Sequence, residues 1–180
     1  MKVGLSCIIT PADWSYTETL KQAKAAGYEA VELVIRDEWD ITLETPESKL
    51  AQMARQAADE GLELASICPS FRKAPKDLMT NDAAVREQSL ETVKRALGIA
   101  KAMGIDTMLL TLGALTPQLY YNEAYANALQ SMQKLAPFAE EIGVNVAIEY
   151  VWNKFLLSPM EFARFCDEVA SPRVGLFFDT

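Results

Sequence analysis

The sequence predicts an α/β fold built on a parallel sheet, and three observations carry that prediction. Four amphipathic segments close at Gly27, Gly61, Gly104 and Gly143, and each is followed within a few residues by a short apolar run. The runs that end at Glu149 and Asp179 are continuous, as in strands covered on both faces. Ser15 with Glu18, and Ser158 with Pro159 and Glu161, read as capping boxes that open helices. Alternating β and α units leave two architectures, a doubly wound open sheet and a (β/α)8 barrel.

Taken in order, the first strand is expected over Val3 to Ile9. A loop with Pro11 and Trp14 leads to a helix whose inner face is Leu20, Ala23 and Ala26. The second strand, Ala30 to Ile35, alternates Val31, Leu33 and Ile35 with Ala30, Glu32 and Val34, which places an acid inside a strand. A helix opening at Thr45 and Pro46 carries Leu50, Met53, Ala54 and Ala57. Leu62 to Cys68 is the third strand. After a long loop, a helix from about Asp82 turns Leu90, Val93, Leu97 and Ala100 inward, and Thr107 to Leu112 follows as the fourth strand. The fourth helix spans about Glu123 to Ile142 and crosses Pro137, where a kink is expected because the bond to Gln133 is lost. A strand ends at Glu149, a helix carries Phe162, Phe165 and Val169 up to Ser171 and Pro172, and a last strand runs from Val174 to Asp179.

No GxGxxG or GxxxxGK[ST] follows the first strand, where a doubly wound nucleotide fold would carry its phosphate loop. Trp14, Glu32, Ser66, Thr111, Glu149 and Asp179 all lie in or beyond strands, and a barrel would bring them to one mouth. The count of six strands is two short of a closed barrel. An incomplete (β/α)8 barrel, forming one domain over residues 1–180 with its C-terminal part missing, is therefore expected. Its first and last strands would have bare edges that a homo-oligomer could cover. Val34 and Phe178 are expected to lose inward neighbours.

Composition narrows the function. Half of the 180 residues are apolar, enough for one sizeable core. A net charge of −8 with no basic stripe argues against nucleic acid or an anionic membrane as partner. Cys7, Cys68 and Cys166 are far apart with no CxxC, which fits a reducing, cytoplasmic setting. The first residues read as a strand and not as a signal peptide, and no stretch approaches a membrane span.

Glu149 and Asp179 stand at the carboxyl ends of strands joined by one helix. Such strands are usually neighbours, roughly 5 Å apart. Two ionised carboxylates at about 4 Å repel by on the order of 4 kcal/mol at an effective dielectric near 20, which a raised pKa or a bound cation must relieve. Oxygen ligands suit Mg²⁺ or Mn²⁺. On spacing alone the alternative stands that Glu149 points into a loop and Asp179 caps the next turn.

The segments GYEAVEL at Gly27 to Leu33, VAIE ending at Glu149, WNKFLLSP at Trp152 to Pro159, and VGLFFDT at the end resemble the xylose isomerase-like TIM-barrel superfamily. Within it, the chain is similar to sugar-phosphate isomerases and epimerases, including ketose and ketose-phosphate 3-epimerases. The resemblance implies a divalent metal, Mn²⁺ foremost with Mg²⁺, Co²⁺ or Zn²⁺ as substitutes, held by Glu, Asp, His and Glu at the ends of strands five to eight. Glu149 and Asp179 match the first two, and the other two would follow Thr180. It also implies a small sugar or sugar phosphate as substrate and proton abstraction next to a carbonyl through an enediolate. Glu149 would be the catalytic acid/base.

Further substrate contacts are weighed on the same resemblance. Trp152, Asn153 and Lys154 follow Glu149 at the expected mouth, with Trp152 otherwise packing as a lid. Trp14 could stack on a sugar or cover the core. Glu32 faces the barrel interior in the GYEAVEL match. Arg72, with Lys73 and Lys76, could receive a phosphate or lie in a solvated loop, and Phe71 stands where the family often has His. The chain has no histidine, which counts against a DNA-repair endonuclease of the same superfamily. An inosose-type dehydratase and a non-catalytic, degenerate barrel are the alternatives.

Overall fold

The computed structural model describes residues 2–179. The elements are β1 (Gly4–Ser6), α1 (Tyr16–Ala25), β2 (Ala30–Ile35), α2 (Glu47–Asp59), β3 (Glu63–Pro69), α3 (Ala83–Ala102), β4 (Thr107–Leu110), α4 (Tyr121–Ile142), β5 (Asn145–Glu149), α5 (Pro159–Val169) and β6 (Val174–Phe177). All strand pairs are parallel, and spatial order follows chain order from β1 to β6. A doubly wound sheet reverses its strand order at a switch point, and this one does not. The sheet is an arc of a (β/α)8 barrel, and among the described residues β1 and β6 do not pair with each other.

Alternation splits the sheet into two chemistries. Leu33, Ile67, Met108, Val146 and Val174 are aligned across five strands, and the first four are fully buried. Each such side chain contributes about 1.5–3 kcal/mol by leaving water. The opposite face carries Ser6, Glu32, Ser66, Ala147 and Glu149.

Several boundaries differ from expectation for local reasons. β1 stops at Ser6 because the chain turns there: the Ile9 N–H donates to the Ser6 carbonyl at 3.3 Å, and Ile8 and Ile9 are exposed. β6 stops at Phe177, which puts Asp179 beyond the strand end. Ser15 and Ser158 accept from Glu18 N and Glu161 N, each at 3.2 Å, so both caps form. The boxes do not close as drawn. The Glu18 carboxylate accepts from Gln22 Nε2, and Glu161 accepts from Leu157 N, one residue before the cap. α2 begins after Pro46 without a side-chain cap, and α4 runs unbroken through Pro137. Ala170, in the left-handed region, ends α5 before Ser171. Gly27, Gly61, Gly104 and Gly143 all take φ between 70° and 81°, the conformation that lets each helix turn into the next strand.

Val34 keeps its neighbours and is fully buried, whereas Phe178 is 77 % exposed. None of the described helices is long and apolar enough to cross a membrane.

Candidate active site

The carboxyl ends of the strands open onto a cleft of about 960 Å³. Its lining includes Lys76 and Asp77 after β3, Thr111 and Gly113 after β4, Trp152 and Asn153 after β5, and Asp179 after β6. Glu149 ends β5 opposite Phe177, so the chain reaches Asp179 two residues on. Burial first, then the charges of Asp179 and Glu32, and a hydrogen bond with Asp179, push the Glu149 carboxyl above the ordinary carboxylate range. Asp179 is thus near enough for its charge to act on Glu149.

As a donor set, two carboxylates converging in a cleft fit a hard or borderline divalent cation. They supply two ligand positions, and among the described residues no group of three or more His, Cys, Asp or Glu side chains gathers to hold a metal.

Glu32 is fixed from both sides. Ser6 Oγ and Ser66 Oγ donate to its two carboxylate oxygens, each at 2.7 Å, from residues in register on β1 and β3. Ser66 belonged to the polar set legible in the sequence, but the Ser6 half of the clamp did not. Only the strand register reveals it.

The loop after β5 is tied to the loop after β4. Asn153 Nδ2 donates to the Gly113 carbonyl at 3.0 Å, and its own carbonyl accepts from Leu115 N at 3.1 Å. Its Oδ1 accepts from Phe155 N, so the amide is engaged within the protein. Lys154 and Leu156 sit at φ 62° and 56°, a conformation costing on the order of 1–2 kcal/mol per residue outside glycine. Burial of Phe155 and Leu156 offsets that strain, with Phe155 against the rings of Tyr121 and Phe165. Trp152, 98 % exposed, projects at the cleft with no packing over it, and Lys154 is exposed.

Trp14 lies elsewhere. It lines a smaller pocket with Leu5, Gln22 and Tyr28, and its carbonyl accepts from Trp39 Nε1. Arg72 is exposed, its backbone N–H bound to Asp37 at 2.7 Å. Of the basic residues in that loop, Lys76 is the one in the cleft wall. Asp77 and Gly113, beside it, were missed by sequence reasoning. Gly113 has φ 133°, and a Cβ there would meet Asp77 Oδ1 at 2.4 Å.

Comparison with known proteins places the fold. The chain is 27 % identical to the L-ribulose 3-epimerase of Methylomonas sp. (strain DH-1), covering 100 % of the chain and 63 % of that protein. It is 28 % identical to a putative L-ribulose-5-phosphate 3-epimerase, SgbU, of Escherichia coli (strain K12), covering 93 % and 59 %. Among solved structures, a D-psicose 3-epimerase determined in the presence of D-fructose superposes with a TM-score of 0.81 at 22 % identity, covering 98 % of this chain and 62 % of that one. The chain thus spans under two thirds of the length of these relatives. The profile described as "Xylose isomerase-like TIM barrel" matches residues 20–180, and the chain belongs to that family.

Proposed function

We propose that this chain carries the first half of the metal site and one catalytic acid/base of a ketose 3-epimerase acting on a small sugar or sugar phosphate. The observation that carries the reading is the closeness of Glu149 and Asp179 at the carboxyl ends of adjacent strands. Epimerase relatives along the whole chain support it.

Glu149 and Asp179 would hold a divalent cation, Mn²⁺ foremost, which when bound supplies the positive charge that stabilises an enediolate. Glu149 takes the proton from the carbon beside the substrate carbonyl. The raised pKa of its carboxyl makes the ionised form a stronger base toward that proton. Trp152 would cover the sugar from the open side, and Asn153 would keep the wall in place. Glu32 would be a fixed negative floor below Glu149. A cytoplasmic setting accords with Cys7 and Cys68 being free and buried.

The test is solvent deuterium incorporation at C3 of candidate ketoses in D₂O with Mn²⁺, followed by NMR. Exchange that disappears with chelator and in Glu149→Gln is the expected result. Products that have lost water would replace epimerisation by dehydration. No exchange with any ketose, at a metal level that raises the melting temperature, would defeat the catalytic reading.

A further inference from the structure

The cleft contains a cation that the metal reading leaves unused. Lys76 is partly buried, its Nζ donates to the Pro69 carbonyl at 2.7 Å and it stands 5.2 Å over the Phe71 ring. One bond leaves two of its three ammonium donors unassigned. Among the described residues it pairs with no carboxylate. Its neighbours in sequence behave differently. Lys73 pairs with Glu38 at 2.7 Å, and Asp37, whose charge Lys76 feels, is bound to the backbone N–H groups of Arg72 and Lys73.

Burial lowers the Lys76 pKa, and the charges of Cys68 and Asp37 do not make up for the lost water. An anionic ligand would relieve that cost. Lys76 and Asp179 both line the cleft, so an ammonium and a strand-end carboxylate face one space. A cleft lined by Asp179 and by a lysine without a salt-bridge partner among the described residues suits a molecule that offers a group to each. Such a molecule has a carbonyl and hydroxyls at the cation-binding end and an anionic group at the other.

We infer that Lys76 receives the phosphate of the substrate, which makes the ligand of this cleft a ketose phosphate in preference to a free ketose. This rests on the epimerase reading above and specifies its substrate class.

The experiment is calorimetric titration of the full 180-residue chain, with Mn²⁺, using ribulose 5-phosphate, free ribulose and inorganic phosphate. The variants are Lys76→Met, Lys76→Arg and, as a surface control, Lys73→Met. The expected result is a ribulose 5-phosphate affinity at least tenfold above that of ribulose. Lys76→Met should abolish that margin, Lys76→Arg should keep most of it, and Lys73→Met should leave it intact. Lys76-dependent binding of inorganic phosphate would support the same assignment. Equal affinity for the two sugars, or a phosphate margin that survives in a folded Lys76→Met, overturns the inference while leaving C3 exchange as evidence for the epimerase. Lys76-dependent binding of phosphate and ketose phosphate without C3 exchange upholds the anion site and defeats the catalytic reading. Absence of any binding overturns both.

Discussion

β2, between two partners, and β6, at the end of the sheet, have the same local recipe but different surroundings. β2 is paired on both sides, and its Val31, Leu33, Val34 and Ile35 are fully buried. β6 is paired on one side, and Leu176 and Phe178 are 48 % and 77 % exposed. An apolar run is thus a statement about what the strand can bury, and its neighbours decide how much it does. Asp179 follows the less covered of the two strands.

The sharpest way to break this comparison is to hollow out each region. Leu33→Ala or Ile67→Ala should destabilise by roughly 3 kcal/mol, whereas Leu176→Ala should cost under about 1 kcal/mol, both read from urea unfolding. Equal losses would mean that the margin is packed like the middle.

The glycines offer a second contrast. Gly113→Ala must fit a Cβ against Asp77 and Met79 at a φ that side chains avoid, and should cost about 2 kcal/mol. Gly175→Ala on β6 meets nothing within 4 Å and should leave the melting temperature nearly unchanged. A smaller loss, about 1–2 kcal/mol, is expected for Ser66→Ala, which removes one hydroxyl donor from the Glu32 carboxylate.

Glu149 gives a pH-dependent version. Folding raises its pKa, so the folded protein holds that proton more tightly than the unfolded chain. The resulting stability is complete below the unfolded value of about 4.3 and is lost as pH rises through the folded value. In chelator at neutral pH, Glu149→Gln should therefore melt higher than the parent protein, with the gap closing toward pH 4. A variant that melts lower at neutral pH would show that the charge is welcome without metal.

The mildest probe is thiol reactivity. Burial pushes the Cys7 and Cys68 thiols up to about 12, so a disulfide reagent at about pH 8 should reach them only on unfolding. Rapid labelling of Cys68 in the native protein would mean that the end of β3 opens without global unfolding.

The helix–strand alternation was legible because glycine C-caps and serine N-caps act locally, within a few residues of their own backbone. The adjacency of the strands that lead to Glu149 and Asp179 was legible because one helix separates them. The first and last strands were read too long, to Ile9 and Asp179, because the apolar letters Ile9 and Phe178 mark residues that the fold leaves in water. Ser6 against Glu32, Asn153 against Gly113 and the inward turn of Lys76 were not legible as contacts. Each depends on register or loop closure between residues far apart in the chain. Trp14 shows the converse: an aromatic after a strand suggests a mouth, and this one settled in a side pocket.

The Ser6–Glu32–Ser66 bridge also has a consequence for how the sheet assembles. Parallel strands made of Val, Ile and Leu can slide by two residues and still present the same face. Sliding β1 by two would set Gly4, with no side chain, beside Glu32. Sliding β3 by two toward its far end would offer Cys68, a weak donor. Only the observed alignment gives the carboxylate an oxygen donor from both neighbours. The charge acts as a key for the correct alignment of three strands, and it penalises misaligned intermediates before the helices have locked the arc.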